Sequence, residues 1–155
     1  VIIYLVRHGK AAPVDFGKGR PLTDHGKAEV EQSARFVAEN APARIDVIRH
    51  SLKLRALQTA EIFEAVLNPE MGLQAVDGLS PSDDAAFWGE RIHRETGSFM
   101  LVSHMPFLSC LVSCLITGDT EKEIVRFNTG SVLCMERVKD RWSVVWRFDP
   151  QISTE

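Results

Sequence analysis

The chain has 155 residues, 45% of them hydrophobic and 25% charged, which excludes a disordered segment and suffices for a core without disulfides or metal. Its 18 basic and 21 acidic side chains leave a net charge of −3, which argues against a general binder of nucleic acid or of an anionic membrane. Three cysteines cannot all pair and so fit a reducing, cytoplasmic setting, and no apolar run approaches the ~20 residues of a membrane span. The length is that of one domain, so residues 1–155 are expected to form a single unit. No signal peptide is read at the start. The chain opens at Val1 in strand-like sequence, as if an initiating residue or tag had been trimmed.

The run Val1–Val6 is continuously apolar and rich in β-branched residues, the pattern of a strand covered on both faces. It ends at Arg7-His8-Gly9, and a loop through Pro13, Gly17, Gly19 and Pro21 follows. Thr23 reads as the N-cap of a helix whose buried stripe is Val30, Ser33, Ala34, Val37 and Ala38, closed by Asn40-Ala41-Pro42. Ile45–Arg49 predicts a short strand. Lys53–Leu67 predicts a helix with Ala56, Thr59, Ala60, Phe63, Val66 and Leu67 on one face, stopped by Asn68-Pro69. Leu73–Val76 is a further short strand, Leu79–Asp84 a capping turn, and Ala85–Glu95 a weaker helix. Phe99–Val102 is another apolar strand ending at Ser103-His104, and Pro106 opens a helix with Leu108, Leu111, Val112 and Leu115 buried and Gly118 at its end. Ser131–Val138 and Trp142–Phe148 predict two strands joined by a tight turn at Lys139-Asp140-Arg141. Strands alternating with helices predict an α/β fold, a mostly parallel central sheet with helices on both faces and the two late strands added antiparallel.

Ligands of such sheets bind where the strands end. Arg7 and His8 follow the first strand; Ser51, Lys53 and Arg55 follow the second; His104 follows the fourth. Two guanidiniums, two imidazoles and nearby helix N-termini suit a phosphoryl group, because arginine's planar fork binds phosphate oxygens bidentately and a neutral imidazole can attack phosphorus. Taken singly, each has an ordinary reading: a solvated loop for Arg7-His8, a capping or core histidine for His104, a helix-face charge for Arg55. The coincidence of one chemistry at three strand ends is what distinguishes them.

Four blocks in order carry a resemblance: Leu5-Val6-Arg7-His8-Gly9, Leu22-Thr23-Asp24-His25-Gly26, Ser51-Leu52-Lys53-Leu54-Arg55-Ala56-Leu57-Gln58-Thr59-Ala60, and Val102-Ser103-His104-Met105-Pro106. The chain resembles the histidine phosphatase (phosphoglycerate-mutase-like) superfamily over nearly its whole length. Its compactness, with Arg20-Pro21-Leu22-Thr23, His50-Ser51 and Leu79–Asp84, is similar to the SixA type of phosphohistidine phosphatase. The resemblance implies that fold, a phosphatase, and roles by position. His8 matches the phosphorylated nucleophile, Arg7 and Arg55 the phosphate clamp, His104 the second histidine on the phosphoryl oxygens, and Arg20 a rim or loop-bracing residue. The implied partner is a phosphohistidine-bearing protein, a phosphotransfer domain or phosphocarrier, with inorganic phosphate as product. No cofactor, metal, nucleic acid or membrane is expected.

The sequence departs from many superfamily members in carrying Lys10 where they carry Glu, and its Leu73–Phe99 region is too short for the insertion that bears a carboxylic general acid in larger members. Asp83-Asp84 reads as helix capping. A phosphohistidine expels an imidazole, a good leaving group, so such an acid is dispensable. Two other readings remain open at this point: a small-molecule phosphomonoesterase using the same His8, and a non-catalytic phosphate-binding module. Gly17-Lys18-Gly19-Arg20 lacks the ending of a Walker loop and is expected at the site mouth. Cys110, Cys114 and Cys134 read as buried apolar residues. Trp88, Trp142 and Trp146 read as core or sheet-face aromatics, with Trp88 alternatively touching a partner.

Overall fold

A computed structural model describes residues 1–151. In chain order it contains β1 (Ile2–Arg7), α1 (Asp24–Asn40), β2 (Val47–His50), α2 (Leu54–Leu67), β3 (Leu73–Ala75), α3 (Ala85–His93), β4 (Phe99–Ser103), α4 (Phe107–Thr117), β5 (Val132–Val138) and β6 (Arg141–Phe148). One six-stranded sheet runs β3-β2-β4-β1-β5-β6. Neighbours from β3 to β1 pair in parallel, and β5 and β6 are added by antiparallel pairing. This is the α/β layer expected from the sequence, a mostly parallel sheet with an antiparallel extension.

The continuous apolar strands are explained by what covers them. Successive side chains point to opposite faces. Ile3 and Leu5 of β1, with Phe99 and Leu101 of β4, pack against Trp88 and Ile92 of α3 and Leu108, Leu111 and Val112 of α4. Tyr4 and Val6, with Met100 and Val102, pack against Val30, Ala34 and Val37 of α1 and Ala56, Ala60 and Phe63 of α2. A strand buried on both faces has no polar alternation to show. Trp88 is 1% exposed, so it is a core residue and touches no partner.

Several boundaries move by a residue or two. Thr23 caps α1 as expected, its hydroxyl oxygen accepting the Gly26 N–H at 2.9 Å. Ala38 and Val66 are exposed rather than on the buried stripes of their helices. Lys53 is the N-cap of α2 rather than its first residue, and α3 ends at His93, two residues early. The β5–β6 turn is Lys139-Asp140, both at positive φ (52° and 64°), the twist that suits a two-residue hairpin, and Arg141 already pairs with Val138.

One glycine fixes the start of α1 beside the site. A Cβ at Gly26 would lie 2.3 Å from the Lys10 carbonyl oxygen, which also accepts the Thr23 N–H at 2.9 Å. Backbone on both sides leaves little room to relax. Gly26→Ala is therefore expected to cost about 2 kcal/mol, despite alanine's better helix propensity. A urea midpoint equal to that of the parent protein would contradict this packing.

Candidate active site

Strand order assembles the site. β4 lies between β1 and β2, with Arg7 opposite Ser103 and His50 opposite Val102. The His8 N–H donates to the Ser103 carbonyl and the Ser51 N–H to the Val102 carbonyl, each at 3.1 Å. The ends of three adjacent strands therefore present His8, Ser51 and His104 side by side. Arg55 arrives in the first turn of α2. A hollow of about 310 Å³ opens there, lined by Arg7, His8, Lys10, Arg20, Arg55 and His104, with Ala11, Pro81, Met105 and Thr129. The groove between α1 and α2, by contrast, mixes Lys27 and Arg35 with Glu31 and Glu61. No carboxylate of the described residues lines the hollow at the strand ends.

Each ring of the histidine pair is held in one tautomer. His8 Nδ1 lies 2.7 Å from the Gly9 carbonyl, which can only accept, so Nδ1 carries the proton and Nε2 keeps its lone pair. The Gly9 N–H donates to Thr59 Oγ1 at 2.9 Å, and the Thr59 hydroxyl donates to the Arg55 carbonyl at 2.8 Å, tying the end of β1 to the turn that bears Arg55. The His104 ring lies 4.9 Å from that of His8, centroid to centroid. His104 Nε2 is 2.6 Å from Ser51 Oγ, which also accepts the Lys53 N–H at 3.3 Å. Ser51 is fully buried, and a buried hydroxyl needs an acceptor for its own hydrogen. His104 Nε2 is that acceptor, and His104 Nδ1 then carries the ring proton.

Three buried N–H groups among these residues have no partner: Arg7 Nε, Arg55 Nε and His104 Nδ1. Orphaned buried donors are rare and costly, and here they cluster around one hollow. The side chains that carry them all line the hollow, a cationic setting that suits an anion with several acceptor oxygens. Arg7 is aimed by its own carbonyl partner, its Nη1 donating to Phe127 at 2.8 Å. The turn that supplies this carbonyl is latched to β1: the Gly130 N–H donates to the Arg7 and His8 carbonyls, and the Arg7 N–H to the Ser131 carbonyl. Below it, the Ser131 hydroxyl donates to Asp149.

Both imidazoles are neutral at pH 7. His8 is pushed down to about 4, mainly by burial, with the charges of Arg55, Arg7 and Arg20 adding; its bond to Gly9 opposes this. His104 is pushed down to about 3 by burial, then by His8, Arg55, Lys53 and Arg7. An unfolded histidine titrates near ~6.5, so on acidification the unfolded chain takes up protons first. The stability these rings contribute is complete above that value and is lost as pH falls toward the folded values. Urea midpoints of the parent protein should therefore drop between pH 7 and 5, and drop less in a His8→Asn/His104→Asn variant. Equal pH dependence of the two would refute the buried neutral rings.

The sequence-predicted residues Arg7, His8, Arg55 and His104 all line the hollow, and Arg20 is among its lining residues too. Thr129 had no sequence signal: a Thr in the loop before β5 reads as an ordinary turn residue, and only the latch of residues 127–131 to β1 brings it in. Ser51 was visible as a strand-end residue, but its bond to His104 was not. Among the described residues no group of three or more His, Cys, Asp or Glu side chains is placed to hold a metal ion.

Comparison with known families decides the assignment: the model of the histidine phosphatase superfamily (branch 1) matches residues 3–80. The chain belongs to the histidine phosphatase superfamily. Membership points to a phosphatase. The phosphohistidine phosphatase SixA of Escherichia coli (strain K12) is 29% identical over 154 residues, 96% of this chain and 93% of that protein. The solved structure of the protein histidine phosphatase SixA complexed with tungstate has the same fold, with a TM-score of 0.85 at 24% identity over 97% of both chains. A protein of Agrobacterium tumefaciens assigned as SixA gives 0.80 at 25% identity, over 96% of this chain and 97% of that one. No helix among the described residues is long and apolar enough to cross a membrane, and the three cysteines are free thiols.

Proposed function

We propose that residues 1–155 are a single-domain protein phosphohistidine phosphatase acting in two steps through phospho-His8. In the first, the His8 Nε2 lone pair attacks phosphorus in line. The substrate ring is already protonated on its other nitrogen; the bond from phosphorus to it breaks, the electron pair returns to the departing nitrogen, and the ring leaves as neutral imidazole. In the second, water attacks phospho-His8, releases inorganic phosphate and restores the imidazole. Arg7, Arg55 and the Nδ1–H of His104 hold the equatorial oxygens throughout, and Arg20 sits at the rim. The phosphoryl transition state is loose, so positioning and charge stabilisation are most of what the protein must supply.

The observation that carries this reading is the hollow itself: His8, with Nδ1 committed to the Gly9 carbonyl, lines it together with Arg7, Arg55 and His104, each of which carries a buried N–H without a partner, and no carboxylate is among the described lining residues. A non-catalytic binder would not need a neutral imidazole held with its lone pair free. An enzyme for alkyl phosphates would need a proton donor for the alkoxide. The likeness to the phosphohistidine phosphatase SixA of Escherichia coli over 96% of the chain supports the same substrate class. The test is to incubate the protein with phosphotransfer domains and phosphocarriers phosphorylated on histidine and to follow phosphate release. Release from at least one carrier, well above its spontaneous hydrolysis, is expected; none from any carrier would overturn the proposal.

A further inference from the structure

Lys10 and Arg20 line the hollow, Lys18 lies two residues before Arg20 in the same loop, and Lys53 lies two residues before Arg55 in the turn after Ser51. Lys10, Lys18 and Lys53 are exposed and Arg20 is half-buried. None of them forms an ion pair with an Asp or Glu among the described residues. The one acid in the segment 10–20, Asp15, is engaged already: its Oδ1 accepts the N–H groups of Gly17 at 2.7 Å and Gly19 at 2.9 Å, which hold the carboxyl below its usual range. This concentration of positive charge occurs in a chain whose net charge is −3. A phosphoryl group is served by Arg7, Arg55 and the two imidazoles, so the outer cations exceed what it requires.

Large apolar side chains stand exposed beside these cations: Phe16 at 77% and Leu52 at 62%. Leu52 lies between Ser51, bonded to His104, and Lys53, whose charge acts on His104. Phe16 rides on the small loop that Asp15 closes. Gly19 of that loop backs onto the start of α2, where an added Cβ would meet Leu54 Cβ at 3.0 Å, and the next residue, Arg20, lines the hollow. The loop 13–20 and the turn 51–53 therefore flank one opening. An imidazole is a short tether, so phosphorus placed in line with His8 brings the carrier's backbone down to that opening. Its neighbouring side chains then meet Phe16, Leu52 and the lysines.

We infer that Phe16, Leu52, Lys18 and Lys53 form a docking collar for the protein that bears the phosphohistidine, one with acidic residues around an apolar patch beside the phosphorylated ring. The inference rests on the phosphohistidine reading above and adds what recognises the carrier. Rim charges act chiefly on encounter and are screened by salt, whereas a buried aromatic anchor acts on dissociation.

The experiment compares two substrates, a histidine phosphotransfer domain phosphorylated on its histidine and free phosphohistidine. Phe16→Ala, Leu52→Ala and Lys18→Glu should each raise KM for the phosphodomain roughly five- to tenfold, while kcat/KM for free phosphohistidine stays within about twofold of the parent protein. Raising salt should increase KM for the phosphodomain alone. Activity on free phosphohistidine also shows that each variant is folded. An unchanged KM for the phosphodomain, or an equal loss on both substrates, would overturn the collar. A parent protein that hydrolyses only free phosphohistidine would overturn it too, while leaving the His8 chemistry intact. One that hydrolyses neither substrate overturns the phosphohistidine reading, and the collar with it.

Discussion

Replacing His8 with alanine will abolish turnover, by at least about 10⁴-fold in kcat, because loss of a covalent nucleophile is not made good by the groups around it. His8 Nε2 is the lone pair that the site leaves free: Nδ1 is committed to the Gly9 carbonyl, and Ser51 occupies Nε2 of His104. Burial and three neighbouring guanidiniums keep the ring unprotonated, which is the form that attacks. The decisive measurement is a phosphoryl trap. Rapid quenching of the parent protein with labelled substrate should yield an acid-labile, base-stable phosphoryl group on the protein, and His8→Ala should yield none. His104→Ala should still be labelled, more slowly, because it loses a donor to the phosphoryl oxygens but keeps the nucleophile. Wild-type turnover by His8→Ala would refute the mechanism, as would label that survives the substitution.

Alkyl phosphomonoesters will turn over roughly 10²–10⁴-fold more slowly than phosphohistidine, the range that a positioned general acid ordinarily contributes. The argument is about the leaving group. Expelling an alkoxide without a proton donor is prohibitive, whereas an imidazole protonated at its far nitrogen departs neutral. Among the described residues, the side chains lining the hollow are cationic, imidazole, hydroxyl or apolar, with no carboxyl. Aryl phosphates, whose leaving groups are weaker bases, should fall between the two. A series of esters run against leaving-group basicity checks this directly. A flat dependence, or equal rates for alkyl phosphate and phosphohistidine, would mean that a proton donor serves this hollow.

Much of the fold was legible because its strongest signals are local. A short apolar run with no alternation, such as the β-branched Val1–Val6 or Phe99–Val102, reads as a strand sandwiched between layers, and the structure places helices on both sides. Thr23 and Asp84 cap their helices through their own side chains, so those starts were visible. The start of α2 was not, since Lys53 makes no side-chain cap bond. The end of α3 was also hidden. Arg94 closes it through bonds to Arg91 and Ile92, and no Gly or Pro marks the place. Trp88 was ambiguous on a short helix of mixed pattern, and only the packing of α3 on the sheet buries it.

The chemistry of the site was written in the chain: Arg7-His8 and His104 each follow an apolar strand, and Arg55 opens the helix after another. Side-chain type and position relative to a strand end are local properties, and the carboxyl edge of a parallel sheet is where such residues meet a ligand. Tertiary structure decided which of them would be neighbours. Strand pairing is a long-range choice of hydrogen-bond partners, and nothing local to β4 states that it inserts between β1 and β2. That insertion sets His104 against His8 and Ser51. It thereby fixes which imidazole nitrogen is free to attack and which is left to donate. The turn 127–131, carried in by β5 pairing with β1, supplies the carbonyl that aims Arg7, a role set by backbone position, on which side-chain pattern is silent.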